Sequence, residues 1–140
     1  MADAKMTRRW VSTGSHWEEL AAYARAVRVN DMVFVSGTTA HGPNGLVGAG
    51  DPAAQARFIF EKIEKAMKEL GSSLRDVVKT HVYVSDIRNW EPVARVHGDV
   101  FRHVRPANVL VEARLVGPDY LVEIEVDAVV GSGDAIQPKA

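Results

Sequence analysis

The chain has 140 residues, 46% of them hydrophobic and 25% charged, with 17 Lys and Arg against 18 Asp and Glu. That is the length and balance of one globular domain, and a net charge of −1 leaves no global field to gather nucleic acid or an anionic membrane. The absence of cysteine excludes disulfides, a thiolate nucleophile and Cys-ligated metal, and agrees with a reducing compartment. The amino-terminal MADAKMTRRW holds no apolar stretch of signal-peptide length. No segment approaches the roughly 20 apolar residues of a membrane-spanning helix, so the chain is expected to be cytoplasmic and free of membrane. Residues 1–140 form one expected domain with its ordered core over about 7–130. The closing GSGDAIQPKA is small and polar without periodicity and is expected to be a flexible tail.

Residues 23–29 alternate, with Tyr23, Arg25, Val27 and Val29 on one face, and Asn30-Asp31 supplies a two-residue turn into MVFVSG. A hairpin follows from this pattern. The next fifteen residues, TTAHGPNGLVGAGDP, are rich in Gly and Pro and predict a loop. Asp51 is a suitable helix N-cap, and Pro52 suits the first helical position, where its missing N–H is not needed. From there Ala56, Ile59, Phe60, Ile63, Met67 and Leu70 fall three and four apart, one apolar stripe that Gly71 terminates.

After a Gly-Ser-Ser turn, VVKTHVYVSD predicts a strand with Val78, Thr80, Val82 and Val84 on one side and Lys79, His81, Tyr83 and Ser85 on the other. Asn89 is the expected cap of a second helix, with Pro92 in its first turn, Val93, Val96, Val100, Phe101 and Val104 as its apolar side, and Pro106 as its stop. Two strands close the domain: NVLVEARL, then LVEIEVDAVV, where Val122, Ile124, Val126 and Ala128 alternate with Glu123, Glu125 and Asp127.

The order is two or three strands, a helix, a strand, a helix and two strands, which predicts an α+β fold: a mixed six-stranded sheet with two helices on one face. The other sheet face then carries Lys79, His81, Tyr83, Glu123, Glu125 and Asp127, and either water or another subunit covers it.

Four fragments, VFVSGTT, LGSSLRDVVKTHVYVSDIRNW, RPA and LVEIEVDAVV, resemble the RidA (YjgF, endoribonuclease L-PSP-like) family in order and spacing over about residues 20–130. The resemblance implies a chorismate-mutase-like fold, a homotrimer, and small-molecule clefts between subunits on the polar sheet face. It implies deaminase chemistry: hydrolysis of reactive imines and enamines such as 2-aminoacrylate, with no cofactor, no metal and no nucleic-acid partner. The family's carboxylate-binding Arg follows a Pro-Ala pair, but this chain reads Pro106-Ala107-Asn108, so it resembles a divergent member. Asn offers one neutral amide where a guanidinium offers a charged fork. By the same resemblance Tyr23, Ser36, Gly37, Trp90, Asn108 and Val109 line the substrate site, and Glu123 is the catalytic carboxylate. The strand from Asn108 is one residue shorter than in typical relatives, which leaves the register of 109–114 open.

A carboxylate at Glu123 suits the positioning of a water for attack on an imine carbon, and the same pattern suits a strand residue paired to a cross-strand cation. Arg25, on the face of Tyr23, is either the missing cation or a structural partner of the acidic strand. Trp90 either stacks on a planar substrate or packs on the sheet edge, and Asn108 either meets a neutral substrate group or is satisfied by backbone. His16, His41, His81, His97 and His103 show no metal-ligand spacing, and neither GxSxG nor a phosphate-binding glycine loop is present. A ribonuclease would want an acid–base pair beside a basic groove, which the charge balance does not favour. The alternative to a hydrolase is a non-catalytic trimeric binder or chaperone-like protein.

Overall fold

The structure, a computed structural model, describes residues 5–139; residues 1–4 and 140, the last of the expected tail, lie outside it. Among the described residues, eight strands and three α-helices follow in the order β1 (Arg8–Val11), α1 (His16–Ala21), β2 (Ala26–Val29), β3 (Met32–Thr38), β4 (His41–Gly42), β5 (Gly45–Leu46), α2 (Pro52–Glu69), β6 (Val77–Val84), α3 (Trp90–Phe101), β7 (Ala107–Glu112) and β8 (Val122–Val129). Six strands make one sheet in the order β1-β2-β3-β8-β6-β7; β6 and β7 run parallel around α3, and every other neighbouring pair is antiparallel. The expected α+β architecture is therefore present, with α2 and α3 packed on one face of a mixed six-stranded sheet.

Helix α2 forms as its sequence dictates. The Asp51 carboxylate accepts the backbone N–H of Ala54, Pro52 opens the first turn, and Gly71 follows at φ +78°. Ile59, Phe60, Ile63 and Met67 are buried against Val33, Val82, Ile124 and Val126 of the sheet. Each such side chain contributes about 1.5–3 kcal/mol by leaving water, which fixes α2 over β3 and β8. Gln55, fully buried, ties this helix to the segment before β8: its side-chain amide donates to the carbonyl of Asp119 and accepts from the N–H of Leu121.

Five details differ from the sequence expectations, the first being that the predicted loop after β3 contains the two-stranded ribbon β4–β5. The register of β6 shifts between Val77 and Lys79, so Val77 is buried and Val78 lies 41% exposed, outside the apolar face assigned to it. Asn89 precedes α3 without a side-chain cap, because it lies in a 3₁₀ turn (Ile87–Asn89) that Asp86 caps by accepting the N–H of Arg88. The segment 12–22 holds a short helix, α1, that periodicity did not announce. The expected tail begins as a docked 3₁₀ turn, Ser132–Ala135, whose Gly133 N–H donates to the buried Asp76 carboxylate. Among the described residues, no helix is long and apolar enough to cross a membrane.

The core lies on the helix side. Val122, Ile124, Val126 and Ala128 of β8 are fully buried there, so Glu123, Glu125 and Asp127 point to the opposite, open face. Register extends that face across the sheet: Tyr83, His81 and Lys79 stand opposite Glu123, Glu125 and Asp127 on one side, and Phe34 stands opposite Asp127 on the other.

Candidate functional site

Glu123 sits at the end of the open face where β3 bends. The pairing of β3 with β8 shifts between Val35 and Thr38, and the bulge contains Ser36 and Gly37. A Cβ on Gly37 would lie 2.5 Å from Glu123 Oε2 and 3.1 Å from its Cδ. Gly37 has no positive φ, so what a larger residue would meet there is the Glu123 carboxylate rather than backbone strain. Glu123 is half-buried and forms no hydrogen bond or ion pair with any described residue. Burial pushes its pKa up, the neighbouring Glu125 charge adds to this, and Arg25 opposes it. Glu125 is satisfied differently: the Tyr83 hydroxyl donates to it at 2.6 Å, which in turn raises the phenol to about 12.

Arg25 lies against this site as part of a wall. The residue is 4% exposed; Nη1 donates to the carbonyl of Gly37 at 2.7 Å and to the Thr38 hydroxyl at 3.1 Å, and Nη2 pairs with Glu18 at 3.3 Å and approaches the Tyr23 hydroxyl at 3.4 Å. Its Nε is buried without a partner. Both terminal nitrogens are thus occupied, and the ionic partner is Glu18 of α1 rather than the acidic strand.

Glu18 is the residue sequence reasoning missed. Its carboxylate accepts from the hydroxyls of Ser12 (2.6 Å), Thr13 and Ser15 (2.9 Å) and from the N–H of Thr13 (3.0 Å). Burial alone would raise its pKa; the hydrogen bonds from Ser12, Thr13 and Ser15 outweigh that and hold it at about 2. The signal was in the chain, since Ser15 and Glu18 have the spacing of a capping box, with Ser15 accepting the Glu18 N–H as N-cap. Lys62 of α2 was also missed. Its ammonium donates to the carbonyls of His41 (2.8 Å) and Thr39 (3.4 Å), and burial, with Arg25 nearby, lowers it to about 8.

The structure brings together Glu123, Gly37, Arg25 and Tyr23, and separates others. Ser36 turns its hydroxyl to the carbonyl of Ala24 at 2.7 Å. Val109 stands opposite His81 on the open face, 38% exposed. Asn108, one residue earlier, pairs with the fully buried Thr80 and faces the helices. Its Oδ1 accepts from the Thr80 hydroxyl at 2.8 Å, and that hydroxyl is also 2.8 Å from His97 Nε2 of α3. β7 pairs with β6 so that Thr80 is level with Asn108 and His81 with Val109, which puts the amide on the side of the sheet away from Glu123. Trp90 opens α3, half exposed.

The sequence model of the endoribonuclease L-PSP family matches residues 13–130. The chain is 37% identical over 128 residues to an uncharacterised protein of Streptomyces coelicolor (91% of this chain, 96% of that one). It is 36% identical over 106 residues to the 3-aminoacrylate deaminase RutC of Acinetobacter baylyi (75% of this chain, 84% of that one). A crystal structure of a YjgF-family member from Mycobacterium tuberculosis superposes with a TM-score of 0.81 at 43% identity, covering 89% of this chain and all of the other. The chain belongs to the endoribonuclease L-PSP family, known also as the RidA or YjgF family.

Proposed function

We propose that this protein hydrolyses a reactive imine or enamine metabolite to a carbonyl compound and ammonia, in clefts between the subunits of a homotrimer. The observation that carries the reading is Glu123: a half-buried carboxylate with a raised pKa and no partner, seated over a glycine that leaves it room. The relationship to a 3-aminoacrylate deaminase supports the reaction class. Glu123 accepts a proton from water as the oxygen adds to the imine carbon; the tetrahedral carbinolamine then collapses, the C–N bond breaks, and the same carboxyl returns the proton to the leaving nitrogen. A carboxyl whose pKa burial has raised suits a group that must both take and give a proton. Ser36 and Gly37 frame the carboxylate, Tyr23 closes the Arg25 side, and Val109 supplies apolar area for the rest of the substrate. No cofactor or metal is needed for this hydrolysis.

The trimer is supported by the open face itself. It joins a charged centre to flanks such as Met32, Phe34, Val109 and Val111, each 38–44% exposed, more apolar area than a sheet face left in water carries. The test is ammonia release from freshly generated imines, with wild type and Glu123→Gln compared. Turnover that survives Glu123→Gln unchanged removes Glu123 from the mechanism, and a stable monomer at micromolar concentration in sedimentation equilibrium removes the interface cleft. One observation favours a non-catalytic binder instead: Asn108 faces the helices, so this chain lacks the charged clamp that the deaminase resemblance calls for. No turnover on any imine, with small-molecule binding retained, identifies that alternative.

A further inference from the structure

Past the end of β7 the chain turns back toward β8, and this turn encloses an open-mouthed cavity of about 690 Å³, within the usual range for a small-molecule site. Its wall includes Ser85, Glu112, Arg114, Pro118 and Tyr120, all of one chain, so the cavity is formed before a second copy adds anything. The turn is pinned from within the fold. The N–H of Ala113 donates to the carbonyl of Val84, and that of Ser85 to the carbonyl of Leu121. Fully buried Gln55 holds Asp119 and Leu121 through its side-chain amide. The Tyr120 ring packs over Gly117, at φ +111°, where a Cβ would lie 2.7 Å from the ring, and the Tyr120 hydroxyl is 2.9 Å from His41 Nδ1.

Inside this fixed wall two polar groups are left over. Glu112, the one acid of the wall, accepts the N–H of Ile87 at 2.8 Å, whereas the Arg114 guanidinium and the Ser85 hydroxyl make no hydrogen bond or ion pair with any described residue. With the Tyr120 hydroxyl in the same wall, Arg114 and Ser85 form a donor set suited to an oxyanion. The wall carries one charge of each sign, which matches a singly charged carboxylate better than a dianionic phosphate.

The cavity adjoins the Glu123 site. Ser85 follows His81 and Tyr83 on the open face and lies level with Leu121, two residues or about 7 Å along β8 from Glu123. Ala113 continues β7 level with Ser85, two strands from β8, so the base of the Arg114 side chain is roughly 12 Å from that of Glu123. Side chains stand across a sheet rather than along it, so their heads keep much of that separation. A molecule whose carboxylate is bonded directly to its imine carbon, as in 2-aminoacrylate, is too short to reach both groups. One whose two ends are joined by a short chain spans them.

We propose that this cavity is the subsite for a carboxylate remote from the reacting carbon, and that Arg114 is the residue that selects it. The substrate is then an imine or enamine with a terminal carboxylate several bonds from its C=N group, and the product is the corresponding oxo acid. This rests on the hydrolase reading above: Glu123 serves the reacting end, and Arg114 holds the far end. The cation comes from the opposite end of β7 to Asn108 and suits a different kind of acid.

The experiment uses the assembled full-length protein and two arms. In the first, calorimetry compares 5-oxohexanoate with 2-hexanone, which lacks the carboxylate, and with pyruvate, in which the carboxylate adjoins the carbonyl. 5-Oxohexanoate is expected to bind at least about tenfold tighter than either, the range of one charge-assisted interaction. Arg114→Gln is expected to remove that advantage and to leave 2-hexanone binding and the melting temperature unchanged. In the second arm, imines generated in place by oxidation of 5-aminopentanoate, pentylamine and alanine are offered to wild type and Arg114→Gln, and their decay is followed. Fastest decay of the 5-aminopentanoate imine, lost in Arg114→Gln, supports the assignment. Equal or tighter binding of pyruvate or 2-hexanone, binding of none of the three, a 5-oxohexanoate affinity indifferent to Arg114→Gln, or fastest decay of the alanine imine overturns it. Selective binding of 5-oxohexanoate that needs Arg114, with no imine decaying faster, upholds the subsite and removes the hydrolase reading.

Discussion

Two carboxylates flank the same guanidinium, and their surroundings could hardly differ more. Glu18, in the short helix α1, is buried among three hydroxyls, a backbone N–H and Arg25, every one of them a donor. Glu123, across the bulge of β3, meets the space above Gly37 and the charge of Glu125, with no donor among the described residues. Burial raises the pKa of both, yet four hydrogen-bonding groups carry Glu18 down to about 2 while Glu123 stays raised. One acid is part of the structure, and the other is left without a hydrogen-bond partner among the described residues.

The largest expected effect breaks the first of these. Glu18→Ala leaves the Arg25 guanidinium buried without its ionic partner and strands three hydroxyls, which costs about 3–5 kcal/mol of stability. Urea unfolding of the two proteins measures it, and a loss under about 1 kcal/mol shows that water replaces the carboxylate freely. The pH dependence has a definite sign. The folded pKa of Glu18 is lowered from 4.5 to about 2, so its contribution, about 3 kcal/mol, is complete above pH 4.5 and is lost as pH falls through 2. Asp76, also lowered, adds to the same acid limb. Glu123 acts in the opposite sense. Its folded pKa is raised, so acidification from neutral stabilises the fold through this group until the ordinary value near 4.5 is reached, and the stability gap between wild type and Glu123→Gln narrows over that interval.

Glu123→Gln is the next effect in size. It keeps shape and assembly while lowering hydrolysis by about a hundredfold or more, the range for a general acid–base group, and it leaves unfolding free energy unchanged or higher by a few tenths of a kcal/mol at neutral pH. If Glu123 were a second structural acid like Glu18, the substitution would cost stability and spare the rate. Gly37→Ala sharpens the comparison further. Because the backbone there tolerates any residue, the added methyl displaces the carboxylate rather than the chain, and turnover is expected to fall about tenfold with less than about 1 kcal/mol lost from folding. A large stability loss with unchanged turnover would mean that the backbone yields and the carboxylate does not.

How much of this was legible depends on how long each pattern runs. The stripe of α2 repeats over five turns between a capping Asp51 and Gly71, and β8 alternates over eight residues, so both the helix-covered core and the acid row of the open face follow from the sequence. Helix α1 has six residues and one buried member, Glu18, so no apolar period announces it; only the spacing of Ser15 and Glu18 does. Arg25 was legible as important, but its burial was not, because the pairing depends on a helix seven residues upstream that periodicity hides. In β6 the alternation is broken by a bulge, which moves Val78 outward without changing its residue type. The docking of residues 132–135 rests on Asp76 accepting from Gly133, a contact across 57 positions that no local pattern reveals.

Asn108 marks the limit of what strand patterns tell, and it carries the smallest predicted effect. The strand Ala107–Glu112 reads Ala-Asn-Val-Leu-Val-Glu, apolar at three successive positions, so period two does not say which face is which. Parallel pairing with β6 decides it: Thr80 is fully buried on the helix side, and Asn108 lies level with it and accepts its hydroxyl. An Arg at 108 would therefore start from the side of the sheet that carries α3 and His97 instead of over Glu123. Asn108→Arg is expected to change turnover of a carboxylated imine such as 2-aminoacrylate by less than about threefold, and to cost about 1 kcal/mol through loss of the Thr80 hydrogen bond. Val109→Arg places the same guanidinium on the open face, beside His81 and within side-chain reach of the acid row, and is the substitution expected to improve carboxylate binding. A rise of tenfold or more with Asn108→Arg and none with Val109→Arg would show that β7 shifts by one residue on assembly. The face of Asn108 would then be set by the neighbouring subunit, not by β6.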